Sequence, residues 1–78
     1  MKIEKAKLSC YTRYGSLGMW ELDIWYQGDT ARHIRTIGER RLNEVSGAKK
    51  RGTFGKPQKF LDTATGKEWL EKEIEKVN

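Results

Sequence analysis

The side chains able to do chemistry in this chain are few and far apart. One cysteine, Cys10, and one histidine, His33, stand well separated in sequence. A protein-bound zinc ion draws on several Cys, His or closely placed carboxylates, so no metal site is predicted. Cys10 falls on the apolar side of an alternating segment, where a thiol serves as a small packing group rather than a nucleophile. His33 has no Ser or Cys beside it from which a hydrolytic triad would be built. The segment Gly47-Ala48-Lys49-Lys50-Arg51-Gly52-Thr53 has the look of a phosphate loop. It lacks the lysine that must follow the second glycine, and no strand-to-helix context surrounds it. Glu71 and Glu75 lie one helical turn apart, which is surface patterning and not acid–base machinery. The reading is of a protein that is no enzyme, with no catalytic residue, no cofactor and no small-molecule substrate.

What the chain does carry is charge, unevenly spread. Residues 1–31 hold four basic and four acidic side chains and cancel. Residues 32–59 hold nine Lys or Arg against only Glu39 and Glu44. Residues 60–78 hold three basic and five acidic side chains, which leaves the chain at +5 overall. A positive field concentrated in one Gly-rich stretch attracts phosphate or an acidic protein surface.

Three segments must position these groups. From Ala6 to Tyr14 the even positions Ala6, Leu8, Cys10, Thr12 and Tyr14 alternate with polar ones, the two-residue period of a half-buried strand. Gly15-Ser16-Leu17-Gly18 is turn chemistry, and Trp20, Leu22, Ile24 and Tyr26 then alternate in a second strand. Arg32, Ile34 and Thr36 against His33, Arg35 and Ile37 make a third and weaker one. If inward residues face inward residues, the connections have odd length. A five-residue connection, 15–19, pairs Tyr14 with Trp20 and Cys10 with Ile24. A three-residue connection, 28–30, pairs Ile24 with Ile34 and Leu22 with Thr36. A two-residue loop would put Ile24 opposite His33 and Leu22 opposite Arg35, a register set aside because it buries charge. Glu39–Val45 is compatible with one or two helical turns, with Leu42 and Val45 on one side. Residues 46–58 read as a long mobile loop with Phe54 as its anchor. Lys59, Phe60 and Leu61 extend it into a short fourth strand. At the C-terminus Thr65 and Glu68 have capping-box spacing, and Leu70, Ile74 and Val77 follow at helical intervals beside Trp69.

The expected fold is therefore α+β: a three- or four-stranded antiparallel sheet (3–37), a basic loop region (38–59) and one C-terminal helix (65–77) packed on one face of the sheet. Seventy-eight residues, 36% hydrophobic and 35% charged, make a single domain, 1–78, whose three Trp, three Tyr and two Phe supply much of the core. Apolar runs are far shorter than the roughly 20 residues of a membrane span, and Met1–Lys5 lacks the apolar stretch of a signal peptide. A soluble, cytoplasmic protein is expected.

With those registers the sheet face away from the helix shows Tyr11, Arg13, Asp23, Trp25, His33 and Arg35. Trp25, flanked by Arg13, Arg35 and His33, would stack on bases or sugars while Lys49, Lys50, Arg51 and Lys56 engage phosphates. The alternative is that residues 38–58 cover the indole.

Three antiparallel strands followed by a helix, a Trp-containing second strand and the run Phe60-Leu61-Asp62-Thr63 leading to Trp69-Leu70 resemble the arm-type DNA-binding domain of phage and transposon tyrosine recombinases. That resemblance implies DNA contacts by the outward positions Arg13, Trp25, His33 and Arg35. Met1-Lys2-Ile3, the Leu22–Tyr26 strand and Phe60–Thr63 before Trp69 are also similar to small phage anti-CRISPR proteins of the type I-F class. This implies instead an inhibitor docked on a host nucleoprotein complex.

Overall fold

Two strands joined by a tight reversal form the backbone of the molecule. The computed structural model describes residues 1–77, the last by its backbone alone, so the place of the Val77 side chain in the terminal stripe lies outside the described residues. Strand β1 (Ile3–Tyr14) pairs antiparallel with β2 (Leu17–Tyr26). Gly15, at φ +61°, takes the left-handed conformation that the turn requires. Tyr14 lies directly opposite Leu17, so the connection is two residues long and not five.

Inward positions do not keep one parity along β1, because the strand is irregular. Its register against β2 shifts between Ile3 and Lys5 and again between Leu8 and Cys10. Each extra residue moves the following side chains to the other face. Ala6 and Leu8 point to the core opposite Ile24 and Leu22, and beyond the second bulge it is Tyr11, opposite Trp20, that points there. Cys10 therefore lies on the open face and is exposed, which corrects its expected burial.

Strand β3 (His33–Gly38) completes a sheet of order β1-β2-β3. Its register is the one the sequence argument set aside: Ile24 is opposite His33, Leu22 opposite Arg35, and Trp20 opposite Ile37. Ile34, expected inside, is 51% exposed on the other face. No charge is buried by this pairing, because β3 is an edge strand and its long polar side chains reach past the rim. His33 meets the Asp29 carboxylate there at 3.2 Å.

Three helices cover the core-facing side of the sheet. Helix α1 (Glu39–Ser46) follows β3 directly and buries Leu42, whereas Val45 is 41% exposed. Helix α2 (Gly55–Leu61) replaces the expected mobile stretch and fourth strand. Pro57 sits in its first turn, where a missing N–H costs nothing, and Leu61 enters the core. Helix α3 (Ala64–Val77) starts one cap earlier than the Thr65/Glu68 spacing predicts: the Gly66 N–H donates to Thr63 Oγ1 at 2.9 Å. Gly66 is buried, and a Cβ there would run into the Phe60 carbonyl, so α2 and α3 meet at backbone distance. Leu70 is fully buried, Ile74 packs at the margin, and Trp69 lies edge-on to Phe60.

The helices also close one sheet edge. The Gln58 carboxamide donates from Nε2 to the Ala6 carbonyl and accepts the Leu8 N–H at Oε1, both at 2.9 Å. Farther along β1, the Ile3 N–H donates to Glu71 Oε2 at 2.8 Å. Side chains thus stand in for a neighbouring strand.

Candidate functional site

The basic run is mounted on a short, tied segment. Gly47 ends α1 in the left-handed conformation, its N–H donating to the Asn43 carbonyl, and turns the chain back towards the start of the same helix. There the Gly52 N–H donates to Glu39 Oε2 at 2.7 Å. Thr53 Oγ1 donates to the Lys50 carbonyl, and Lys56 Nζ reaches the Gly47 carbonyl at 3.5 Å. Phe54 closes the segment by resting edge-to-face on Trp20, ring centres 4.7 Å apart. Residues 47–54 are therefore held at both ends and in the middle, where the sequence suggested a long mobile loop; the expected anchor, Phe54, is in contact with the core.

Glu39 organises this region. It is 4% exposed, and its two oxygens accept from Tyr11 Oη, at 2.9 Å, and from Gly52. Its place in the first turn of α1 sets the carboxylate against the positive end of the helix. Burial raises the Tyr11 phenol above its ordinary pKa, and the hydrogen bond to Glu39 and the charge of that carboxylate add to the rise. The charges of Arg51 and Arg13 oppose it, and Arg13, two residues beyond Tyr11 in the regular part of β1, lies on the same side of the sheet.

Arg13, Lys49, Lys50, Arg51 and Lys56 are all exposed. Ion pairs among the described residues join His33 to Asp29, Arg40 to Glu44, and both Arg41 and Lys76 to Glu73. None of the five cations at this pole has a carboxylate partner there. Two grooves run between them. One of about 660 Å³ is lined by Leu17, Met19, Arg40, Lys49 and Arg51, with Glu39 and Glu44 also on its wall. A second, of about 310 Å³, lies among Lys49, Lys50, Thr53, Gly55 and Lys56.

The remaining expected contact residues lie elsewhere, which corrects the single aromatic and basic wall. Trp25 is on the open face of the sheet, opposite Lys5, whose Nζ stands 5.2 Å from the ring centre. It is partly exposed, and residues 38–58 do not cover it, because they pack on the other face. That open face carries Lys5 and Lys7 beside Glu21 and Asp23 and is balanced in charge. Tyr11 is turned inward. His33 and Arg35 border a hollow of about 230 Å³ with Tyr26, Glu71 and Ile74, at the end of the sheet away from the hairpin turn. Bulges and the β3 register, invisible to simple alternation, account for this dispersal.

Sequence reasoning missed the Tyr11–Glu39–Gly52 tie altogether. The one available signal was Glu39 itself, an acid directly after Gly38 at the head of a basic run. Among the described residues no group of three or more His, Cys, Asp or Glu is placed to hold a metal ion, and no helix is long and apolar enough to cross a membrane. No protein-family model matches the chain, and neither a curated protein nor a solved structure matches it.

Proposed function

We propose that this chain is a non-enzymatic binding module that engages the phosphate backbone of DNA through the pole formed by Arg13, Lys49, Lys50, Arg51 and Lys56. One observation carries the reading: of five exposed cations without carboxylate partners, four follow one another within residues 49–56, on a segment that the Glu39 and Trp20 contacts hold in place. A segment whose backbone is already held adds no loop-ordering cost to that of fixing the cationic side chains on phosphates, and each phosphate neutralised releases condensed counterions. The sheet face takes no part in this reading, since its charges cancel.

The test is a salt titration of binding to a generic duplex, followed by fluorescence anisotropy. The logarithm of affinity should fall linearly with the logarithm of salt, with a slope near −0.9 for each phosphate contacted. Lys49→Ala and Lys50→Ala should each make the slope shallower by about one. Trp25→Ala and Arg35→Ala should leave it unchanged. No binding to any nucleic acid at low salt overturns the reading, as does equal loss on substituting the open sheet face.

A further inference from the structure

Within the cationic pole Phe54 stands apart. It is 47% exposed, and it is the one aromatic residue in the basic run, with Lys49, Lys50 and Arg51 before it and Lys56 after. A half-exposed phenylalanine alone is ordinary. This one is mounted and cleared. Its ring stands edge-to-face on Trp20, which is fully buried and is itself edge-to-face with Tyr11 at 5.1 Å, and Tyr11 is tied through its hydroxyl to Glu39. The neighbouring positions are small, Gly52, Thr53 and Gly55, and a Cβ added at Gly55 would meet nothing within 4 Å.

We infer that the pole takes unpaired DNA in preference to duplex, with Phe54 as the platform on which an unstacked base rests; this depends on the phosphate-binding reading above. A strand whose bases are free presents a π-face and a phosphate together, and a fixed aromatic ring bordered by cations matches both. In a duplex the bases are already stacked on one another. Because the ring is already held by Trp20, stacking immobilises little that was free. Base edges are not needed for this contact, so binding tolerates any sequence.

The test compares a fluorescent oligodeoxythymidylate with a blunt duplex of matched length at one salt concentration. The single strand should bind more tightly, and Phe54→Leu, which keeps apolar contact with Trp20 but removes the π-face, should weaken it roughly tenfold while duplex binding holds. Phe54→Tyr should bind like the parent chain. In the unaltered protein, the Phe54 ring protons should move upfield in NMR spectra on adding the oligodeoxythymidylate and stay in place on adding duplex, a readout that does not depend on how the variants fold. Equal affinity for both forms, or unmoved ring protons with the strand bound, overturns the stacking role and leaves the phosphate reading standing. Failure to bind either form overturns both.

Discussion

The Tyr11 hydroxyl donates to Glu39 Oε1 at 2.9 Å, joining the middle of β1 to the first residue of α1. The same carboxylate takes the Gly52 N–H, so a single buried acid connects the sheet, a helix and the basic segment. Gly18 makes room for this pair, since a Cβ at that position would collide with both the Glu39 carboxylate and the Tyr11 hydroxyl.

Glu39→Ala should destabilise the fold by roughly 2–4 kcal/mol, because two hydrogen bonds to a charged acceptor are lost and their donors are left without a partner. Gly18→Ala should act in the same direction by prising the pair apart. Urea unfolding of both variants, read as a lower midpoint at an unchanged slope, checks this.

The pH dependence of the tie follows from its sign. The Tyr11 phenol sits above its ordinary value of 10.0, so the neutral form is favoured in the folded chain. Its contribution is complete below the unfolded value and disappears as pH climbs through the higher folded one. Urea midpoints should fall on that alkaline side, and Tyr11→Phe should flatten this limb while lowering stability at neutral pH.

Asp29 predicts the opposite limb. The Ala31 N–H, and then His33, hold its carboxyl below the ordinary value of 3.8. Its stabilisation is present above the unfolded value and is lost as pH falls through the lower folded one. Asp29→Asn should reduce the acid sensitivity of the midpoint and leave the alkaline side untouched.

Gly66→Ala opposes two effects of different sign. Helix propensity favours alanine by about 1 kcal/mol. The new methyl group meets the Phe60 carbonyl, which is backbone and cannot swing aside, and overpacking costs roughly 1–3 kcal/mol. A lower melting temperature is expected, and a higher one would show that the α2–α3 junction gives way freely.

Gln58→Ala uncovers the Ala6 carbonyl and the Leu8 N–H on the outer edge of β1. A loss of about 1–2 kcal/mol is expected, together with concentration-dependent association through the bared edge, measurable by sedimentation.

Local pattern was enough for most of the elements, though not for α2, whose residues read as mobile chain and a short strand. Alternation at Trp20, Leu22, Ile24 and Tyr26 marks a strand, and the spacing of Leu70 and Ile74 marks the terminal helix, because burial on one face imposes its own period on neighbouring residues. The helical turns after Gly38, the α+β class and the basic excess in residues 32–59 were legible on the same terms. Which residues share a face was not. One extra residue between Leu8 and Cys10 inverts the rest of β1, and the edge position of β3 lets His33 and Arg35 occupy the helix side without losing water. Neither event leaves a mark in the alternation that precedes it. The pairing of Tyr11 with Glu39 and of Phe54 with Trp20 likewise joins residues far apart in sequence. Composition and short-range spacing thus determined the three strands, the helical turns after Gly38, the terminal helix and where the charge lies. Only the packed structure decided which side chains meet, because a bulge or an edge is chosen by the fit of the whole sheet against its helices.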